Sequence, residues 1–275
     1  MSESNAPIGI FDSGVGGLTV VRAVRRLMPT ESIVYLGDTA RVPYGTKSPD
    51  IVRQYALNCG SFLVHCGAKA IVVACNTASA VSVPMLRQKL NIPVVGVIGP
   101  GAAAAVQASP KGVIGIIGTQ STLASGSYQT AIRALLPAAK IHTATCPLFV
   151  PMAEEAMQEH PATKIMVAEY LAPLLKANID TLVLGCTHYP LLIDSIAEVA
   201  GPNVRIINSA NPVAAFIQDK LREQQLSNTS GQPGSARYYS TDVPERFKAV
   251  GQQFLGGDLN DVEAIDLATI AHSNQ

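Results

Sequence analysis

AIVVACNTA, at residues 70–78, and TLVLGCTHY, at residues 181–189, are the two stretches that decide the fold. Each is a short apolar run, rich in β-branched residues, which ends in a cysteine followed by small polar residues that can start a helix. A buried strand that leads directly into a helix is the repeating unit of a parallel β-sheet. Both stretches therefore predict an α/β fold.

The same alternation of apolar runs and longer amphipathic segments extends along most of the chain. It predicts mainly parallel sheets with helices between the strands. The predicted strands cover residues 8–11, 33–36, 70–74, 94–97, 113–117, 140–145, 181–184 and 204–207. The polar stretch at 224–237, QQLSNTSGQPGSAR, is predicted to be an exposed loop.

Two internal correspondences divide the chain into similar halves. IGIFDSGVGG at 8–17 is similar to IGIIGTQST at 114–122, and the two cysteine stretches are similar to each other at nearly the same offset. We therefore expect two similar α/β domains related by a pseudo-two-fold axis, with the active site in the cleft between them. The predicted domains are residues 1–98 plus 211–275, and residues 99–210.

Composition limits the classes of function. Lys plus Arg and Asp plus Glu number 20 each, so no net positive field draws the chain to nucleic acid or to an anionic membrane. No apolar stretch is long enough to span a bilayer, and the first residues lack the features of a signal peptide, so we expect a cytoplasmic protein. The five cysteines have no paired C-x-x-C spacing, which predicts free thiols rather than disulfides or a zinc site.

Cys75 and Cys186 are the first candidates for chemistry. Either cysteine alone could be a small buried apolar residue, but both occupy the same position after a strand. A thiol at a helix N-terminus is expected to have a lowered pKa, and two such thiols across a cleft would form an acid-base pair. His188 and Asp12 are the neighbours expected to tune them, although Asp12 could instead only cap a helix.

Two other ligand types fit the sequence poorly. Cys186 and His188 have no further His or Cys cluster to complete a metal site, so no metal is predicted. Gly14, Gly16 and Gly17 lack the G-x-G-x-x-G spacing of a dinucleotide loop, and no phosphate-binding G-x-x-x-x-G-K-[ST] motif occurs. The polar side chains at the predicted strand ends favour a small anionic ligand, such as a carboxylate.

Five sequence blocks together resemble those of the glutamate racemases, within the aspartate/glutamate racemase superfamily. They are FDSGVGGLTV (11–20), GDTARVPYG (37–45), ACNTAS (74–79), CPLFVP (146–151) and GCTHYPLL (185–192). The resemblance implies two α/β domains around one site and the interconversion of L- and D-glutamate without a cofactor. It also implies a homodimer that supplies D-glutamate for peptidoglycan synthesis.

The resemblance also implies roles for individual residues. Cys75 would deprotonate D-glutamate and Cys186 would deprotonate L-glutamate, with Asp12 and His188 assisting. The implied substrate contacts are Asp12, Ser13, Tyr44, Gly45, Asn76, Thr77, Thr187 and His188, which Thr119 is expected to join. An assisting acid follows the CPLFVP block, but the choice between Glu154 and Glu155 is open, and Asp38 is a lesser candidate.

Alternative functions remain at this point. A pyridoxal phosphate route would need a Schiff-base lysine. None of the predicted strand-end segments contains a convincing one, and the nearest, Lys47, lies just beyond PYG, so no cofactor is expected. Aspartate racemisation and another cysteine-dependent isomerisation or decarboxylation are possible chemistries of the same superfamily. A non-enzymatic amino-acid-binding protein could also place two α/β lobes around a cleft.

Overall fold

A computed structural model describes residues 3–267 of the chain. Ten strands and eleven α-helices are present in this range. The strands are β1 (Ile8–Asp12), β2 (Ile33–Gly37), β3 (Ala70–Val73), β4 (Val94–Gly96), β5 (Val113–Gly118), β6 (Lys140–Thr145), β7 (Thr181–Gly185), β8 (Arg205–Asn208), β9 (Ala236–Ser240) and β10 (Val262–Ala264).

The helices connect consecutive strands, as expected for parallel pairing. They are α1 (Leu18–Leu27), α2 (Pro49–His65), α3 (Asn76–Lys89), α4 (Ile98–Ala108), α5 (Gln120–Ala124), α6 (Ser127–Leu135), α7 (Phe149–Glu154), α8 (Pro161–Lys176), α9 (Ile193–Ala200), α10 (Ala210–Glu223) and α11 (Pro244–Leu255). None of the helices in residues 3–267 is long and apolar enough to cross a membrane.

Two sheets form the centre of the molecule, and every strand pair in them is parallel. The first has the order β10-β9-β2-β1-β3-β4, and the second has the order β6-β5-β7-β8. This arrangement confirms the predicted α/β class. All eight predicted strands are present, with ends that differ by at most one residue.

The two sheets share one topology. The order β2-β1-β3-β4 in the first sheet is repeated as β6-β5-β7-β8 in the second, and the first sheet adds β9 and β10 at one edge. The internal sequence similarities fall on equivalent strands: 8–17 with 114–122 on β1 and β5, and the two cysteine stretches on β3 and β7. The domain limits 1–98 plus 211–275 and 99–210 remain a prediction, and residues 1–2 and 268–275 lie outside the described range.

The predicted loop at 224–237 needs a correction at its C-terminal end. β9 begins at Ala236, so residues 236 and 237 belong to a strand that pairs with β2. The strand forms because Tyr238 and Tyr239 are buried on the sheet while β2 offers an unpaired edge. A short ARYYS segment that follows Gly, Pro and Ser residues carries little sign of this in its sequence.

Strand order determines where a ligand can bind. In each sheet the chain moves from the first strand to one side and then returns to the other side, so the order reverses between β1 and β3 and between β5 and β7. Such a reversal leaves a crevice at the carboxyl ends of the two strands, where parallel α/β proteins bind ligands. Both predicted cysteines lie at such a crevice, because Cys75 follows β3 and Cys186 follows β7.

Candidate active site

The two crevices contribute to one cavity of ≈ 230 Å³. It is lined by the ends of β3 and β7, the loop after β1, the segment after β2 and the first residues of α3. The lining residues are Ser13, Gly14, Val42, Pro43, Tyr44, Gly45, Cys75, Asn76, Thr77, Thr119, Val150, Glu154, Gly185, Cys186, Thr187 and His188. Both cysteines therefore reach the same enclosed space.

Cys75 caps the N-terminus of α3. Its sulfur accepts a hydrogen bond from the backbone N–H of Ala78 at 3.4 Å, and its thiol lies 3.7 Å from Ser13 Oγ. Burial nevertheless raises the pKa of Cys75 to about 12, and the nearby carboxylate of Asp12 acts in the same direction. The lowered pKa expected for a thiol at a helix N-terminus was therefore wrong for Cys75, because the effect of burial exceeds that of one backbone donor.

Asp12 lies beneath the cavity and does not line it. Its side chain is fully buried and accepts hydrogen bonds from Gly14 N at 3.0 Å and Thr187 Oγ1 at 3.4 Å. Burial raises the pKa of Asp12, whereas the charge of His188 and the N–H groups of Gly14 and Gly17 oppose the rise. The glycine-rich loop thus holds a carboxylate that belongs to the protein itself.

His188 connects Cys186 with an acid. Its Nδ1 lies 3.9 Å from Cys186 Sγ, and its Nε2 lies 3.0 Å from Glu154 Oε1. Burial favours the neutral imidazole, but the hydrogen bonds to Cys186 and Glu154 outweigh it and raise the pKa of His188 to about 10. The same hydrogen bond lowers the pKa of Glu154. Because a charged imidazole donates from both nitrogens, His188 can serve Cys186 and Glu154 at once.

The structure distinguishes the two adjacent glutamates that the sequence left open. Glu154 is the last residue of α7 and reaches both the cavity and His188. Glu155 is exposed, and its carboxylate lies 3.9 Å from Arg246. Glu154 is therefore the acid placed to act on the site.

Gly16 allows the close approach of the two halves of the site. A Cβ atom at this position would lie 2.3 Å from Thr187 Oγ1 and 2.6 Å from His188 Nδ1. Contacts that short do not occur, so any side chain at this position would displace Thr187 and His188. The glycine is required by packing and not by a left-handed backbone.

Tyr44 and Gly45 line the cavity, but the Tyr44 hydroxyl is engaged elsewhere. It donates to Asp38, which is fully buried and also binds Arg41 and the Thr241 hydroxyl. Asp38 therefore lies outside the cavity and anchors the segment that forms its wall. This leaves the Tyr44 and Gly45 backbone, rather than the phenol, to meet a ligand.

Hydroxyl groups from both sheets meet beside Asn76. Thr77 Oγ1 lies 3.0 Å from Thr119 Oγ1 and 3.1 Å from Thr122 Oγ1, and the latter two are 2.9 Å apart. Thr77 belongs to α3 and the other two follow β5, so this cluster joins the two halves of the site. Thr77 and Thr119 line the cavity, where their hydroxyls can turn to donate to a ligand.

Comparison with known proteins identifies the family. Residues 18–217 match the family described as Asp/Glu/Hydantoin racemase. The chain belongs to this family. Similar curated racemases include the glutamate racemases of Geobacter metallireducens, 48% identical over 94% of this chain and 96% of the relative, and Chlorobaculum tepidum, 46% identical over 96% and 98%.

Solved structures of racemases agree closely with the fold. Glutamate racemase isoform RacE1 from Bacillus anthracis has a TM-score of 0.92 at 39% identity, covering 96% of this chain and 98% of that one. Glutamate racemase from Francisella tularensis, in complex with D-glutamate, has a TM-score of 0.90 at 36% identity, covering 97% and 99%. The resemblance to glutamate racemases inferred from the five sequence blocks is confirmed.

The structure of this racemase-family chain places the predicted site residues together, with one exception. Asp12 is the exception among the residues expected to act in catalysis or to contact substrate, since it supports the cavity from below; the others line it, whereas the alternative acids Glu155 and Asp38 do not. The cavity also includes Val42, Pro43 and Val150, which the sequence analysis did not single out. Their apolar side chains carry no chemical signature, although all three fall within the blocks that the resemblance uses. Among residues 3–267, no group of three or more His, Cys, Asp or Glu residues could hold a metal ion.

Proposed function

We propose that the protein interconverts L- and D-glutamate by a two-base mechanism in which Cys75 and Cys186 exchange protons with opposite faces of the α-carbon. The observation that carries this proposal is the placement of the two thiols at equivalent strand ends on one cavity. Inversion of an α-carbon needs proton removal from one face and proton return to the other, and two fixed groups accomplish this without moving.

The mechanism needs one cysteine to begin as a thiolate and the other as a thiol, and the two have different environments. Cys75 is held as a thiol by burial and by the Asp12 carboxylate, so it is ready to donate a proton. Cys186 Sγ lies 3.9 Å from His188 Nδ1, with which it can exchange a proton. In this state Cys186 takes the α-proton of L-glutamate and Cys75 returns one to give D-glutamate, while the opposite states run the reverse reaction.

Negative charge that develops on the substrate carboxylate needs nearby donors. Asn76, Thr77, Thr119 and Thr187 place amide and hydroxyl groups on the cavity wall. Donors that are already oriented in an enclosed site stabilise a carbanion more than water does. The substrate contacts at Ser13, Tyr44 and Gly45 belong to the same proposal, with Asp12 acting from below the cavity.

The proposal includes the biological setting implied by the resemblance. D-glutamate from this reaction enters peptidoglycan synthesis, the chain is a homodimer, and it works in the cytoplasm. Light scattering on the purified protein tests the dimer, because the mass of one chain is 28.8 kDa.

Incubation of purified, pyridoxal-phosphate-free protein with L-glutamate in deuterium oxide tests the reaction. We expect the circular dichroism signal of the amino acid to fall to zero while the α-position gains deuterium. A parallel incubation with L-aspartate measures selectivity. If folded, reduced protein changes neither signal with glutamate, the proposal is contradicted. Faster turnover of aspartate than of glutamate would mean that aspartate is the substrate.

A further inference from the structure

Asn76 has one half of its carboxamide unpaired. Its side chain is 3% exposed and lines the cavity, and its Oδ1 accepts a hydrogen bond from Tyr128 Oη at 2.7 Å. Its Nδ2 has no hydrogen-bond partner among the residues that the structure describes. A buried N–H group without an acceptor is costly, so the unpaired Nδ2 of a cavity-lining residue points to an acceptor supplied by the ligand.

Tyr128 determines which way this amide faces. The tyrosine is fully buried, and its hydroxyl has one hydrogen, which it donates to Asn76. If the amide turned over, the Tyr128 hydrogen would lose its acceptor, because Nδ2 can only donate. The hydrogen bond from Tyr128 therefore keeps Oδ1 towards Tyr128 and Nδ2 away from it.

The position of Tyr128 links the segments that carry both cysteines. It lies on α6, beside the second sheet, whereas Asn76 starts α3 directly after Cys75. A Cβ atom on Gly185, the residue before Cys186, would lie 3.4 Å from the Tyr128 ring. On the far side, a Cβ on Gly101 would lie 3.2 Å from the hydroxyl oxygen. The ring is thus enclosed, and its hydroxyl has little freedom to move.

We propose that Tyr128 is a positioning residue that fixes the Asn76 carboxamide so that Nδ2 donates to a carboxylate oxygen of the substrate. Tyr128 does not touch the substrate and acts only through Asn76. This inference rests on the glutamate racemisation proposed above. The orientation of the Asn76 donor beside Cys75 is thus set by Tyr128, which is 52 positions away in sequence.

The Tyr128→Phe variant tests the proposal, because it keeps the enclosed ring and removes only the hydroxyl. We expect KM for L- and D-glutamate to rise about 10- to 100-fold and kcat to fall as well, since the Asn76 donor would bind the substrate carboxylate and also stabilise the negative charge that develops on it. The fall in kcat/KM must be equal in both directions, because the enantiomers have equal free energy. Tyr238→Phe is the matched control: this tyrosine is also buried, and its hydroxyl contacts Arg25.

A double-mutant cycle with Asn76→Ala separates positioning from general loss of structure. If Tyr128 acts through Asn76, adding Tyr128→Phe to Asn76→Ala changes KM by less than about twofold. Two results would overturn the inference. One is a wild-type KM in folded Tyr128→Phe, and the other is that Tyr128→Phe raises KM as much in the Asn76→Ala background as it does alone. Near-UV circular dichroism of each variant monitors the fold.

Asn76→Asp provides a second test that does not depend on Tyr128→Phe being folded. It keeps an oxygen towards Tyr128 and replaces the Nδ2 donor with an acceptor, so KM should rise at least about tenfold. Unchanged glutamate affinity in this variant would also overturn the inference. Wild-type protein without glutamate turnover would instead contradict the proposed function, so the two failures are distinguishable.

Discussion

Glu154 Oε1 lies 3.0 Å from His188 Nε2, on the side of the imidazole away from Cys186. The carboxylate therefore stabilises the charged ring without occupying the nitrogen that faces the thiol. Burial alone would favour the neutral ring, so this contact and the one to Cys186 keep His188 protonated at neutral pH. In the proposed mechanism, proton transfer at Cys186 thus depends on an acid that is 34 residues away from His188 in sequence.

Glu154→Gln should narrow the pH range of activity on its alkaline side. Removing the negative charge lowers the pKa of His188 from its value of about 10, so the charged ring loses its proton at a lower pH. We expect the alkaline limb of kcat/KM to move down by about one to two pH units. The profile is measured with both enantiomers between pH 6 and pH 10.5.

Glu155→Gln is the matched control for that shift, since the Glu155 carboxylate is exposed and lies beside Arg246. Its profile should coincide with that of the wild type. Equal shifts in the two variants would mean that the effect is one of overall charge and that the contact between Glu154 and His188 has no role of its own.

Cys75→Ser should abolish most racemisation in both directions. A hydroxyl has nearly the same shape as the thiol but is a far weaker acid, so it cannot return a proton at a useful rate. We expect kcat/KM to fall by about 10²- to 10⁴-fold for both enantiomers, measured by circular dichroism. Cys66→Ser, at the end of α2 and outside the cavity lining, should retain normal turnover. Normal turnover by folded Cys75→Ser would remove Cys75 from the mechanism.

Much of the fold could be predicted because its strands are buried on both faces. The five residues of β1 and of β7 are all buried, and such strands are continuous apolar runs that stand out in a sequence. β10 has only three residues, and two of them are exposed, so its sequence carries no comparable pattern. It is placed by pairing with β9, a contact between segments whose register no local pattern specifies.

The site could be predicted as far as local sequence determines it. Cys75 and Cys186 each follow a strand, so topology places each at the crevice of its own sheet, whereas the meeting of the two crevices depends on how the sheets pack. The choice between Glu154 and Glu155 could not be made from the sequence. Glu154 ends α7 and Glu155 follows it, and only tertiary packing decides which side chain faces inward. The burial of Asp12 and the contact of Tyr128 with Asn76 likewise depend on how the two sheets pack.

Gly16→Ala should inactivate the protein through the displacement of two cavity residues. Its Cβ would overlap Thr187 Oγ1 and His188 Nδ1, and a shift of about 1 Å in catalytic groups can cost about 100-fold in rate. We expect a fall in kcat of at least about 100-fold, measured at saturating substrate. Gly99→Ala is the control, because nothing lies within 4 Å of its Cβ. Wild-type kcat in Gly16→Ala would show that the site tolerates a wider separation of its halves.

A buried ion pair at the opposite ends of the strands supports the first sheet. Lys69 Nζ contacts Glu31 Oε2, and the two side chains are 2% and 3% exposed. Lys69 also donates to the carbonyl of Leu226, and Glu31 accepts from the backbone N–H of Asn228. The polar segment after α10 is thereby held at the start of β2 and β3.

Lys69→Met should destabilise the protein by about 3–5 kcal/mol, because it leaves the Glu31 carboxylate buried without its counter-charge. Urea unfolding followed by far-UV circular dichroism measures this loss. Adding Glu31→Leu to the variant removes the unpaired charge and should recover a large part of the free energy of unfolding. If Lys69→Met alone unfolds at the wild-type urea concentration, the ion pair contributes nothing to stability and the segment after α10 is held by its backbone contacts.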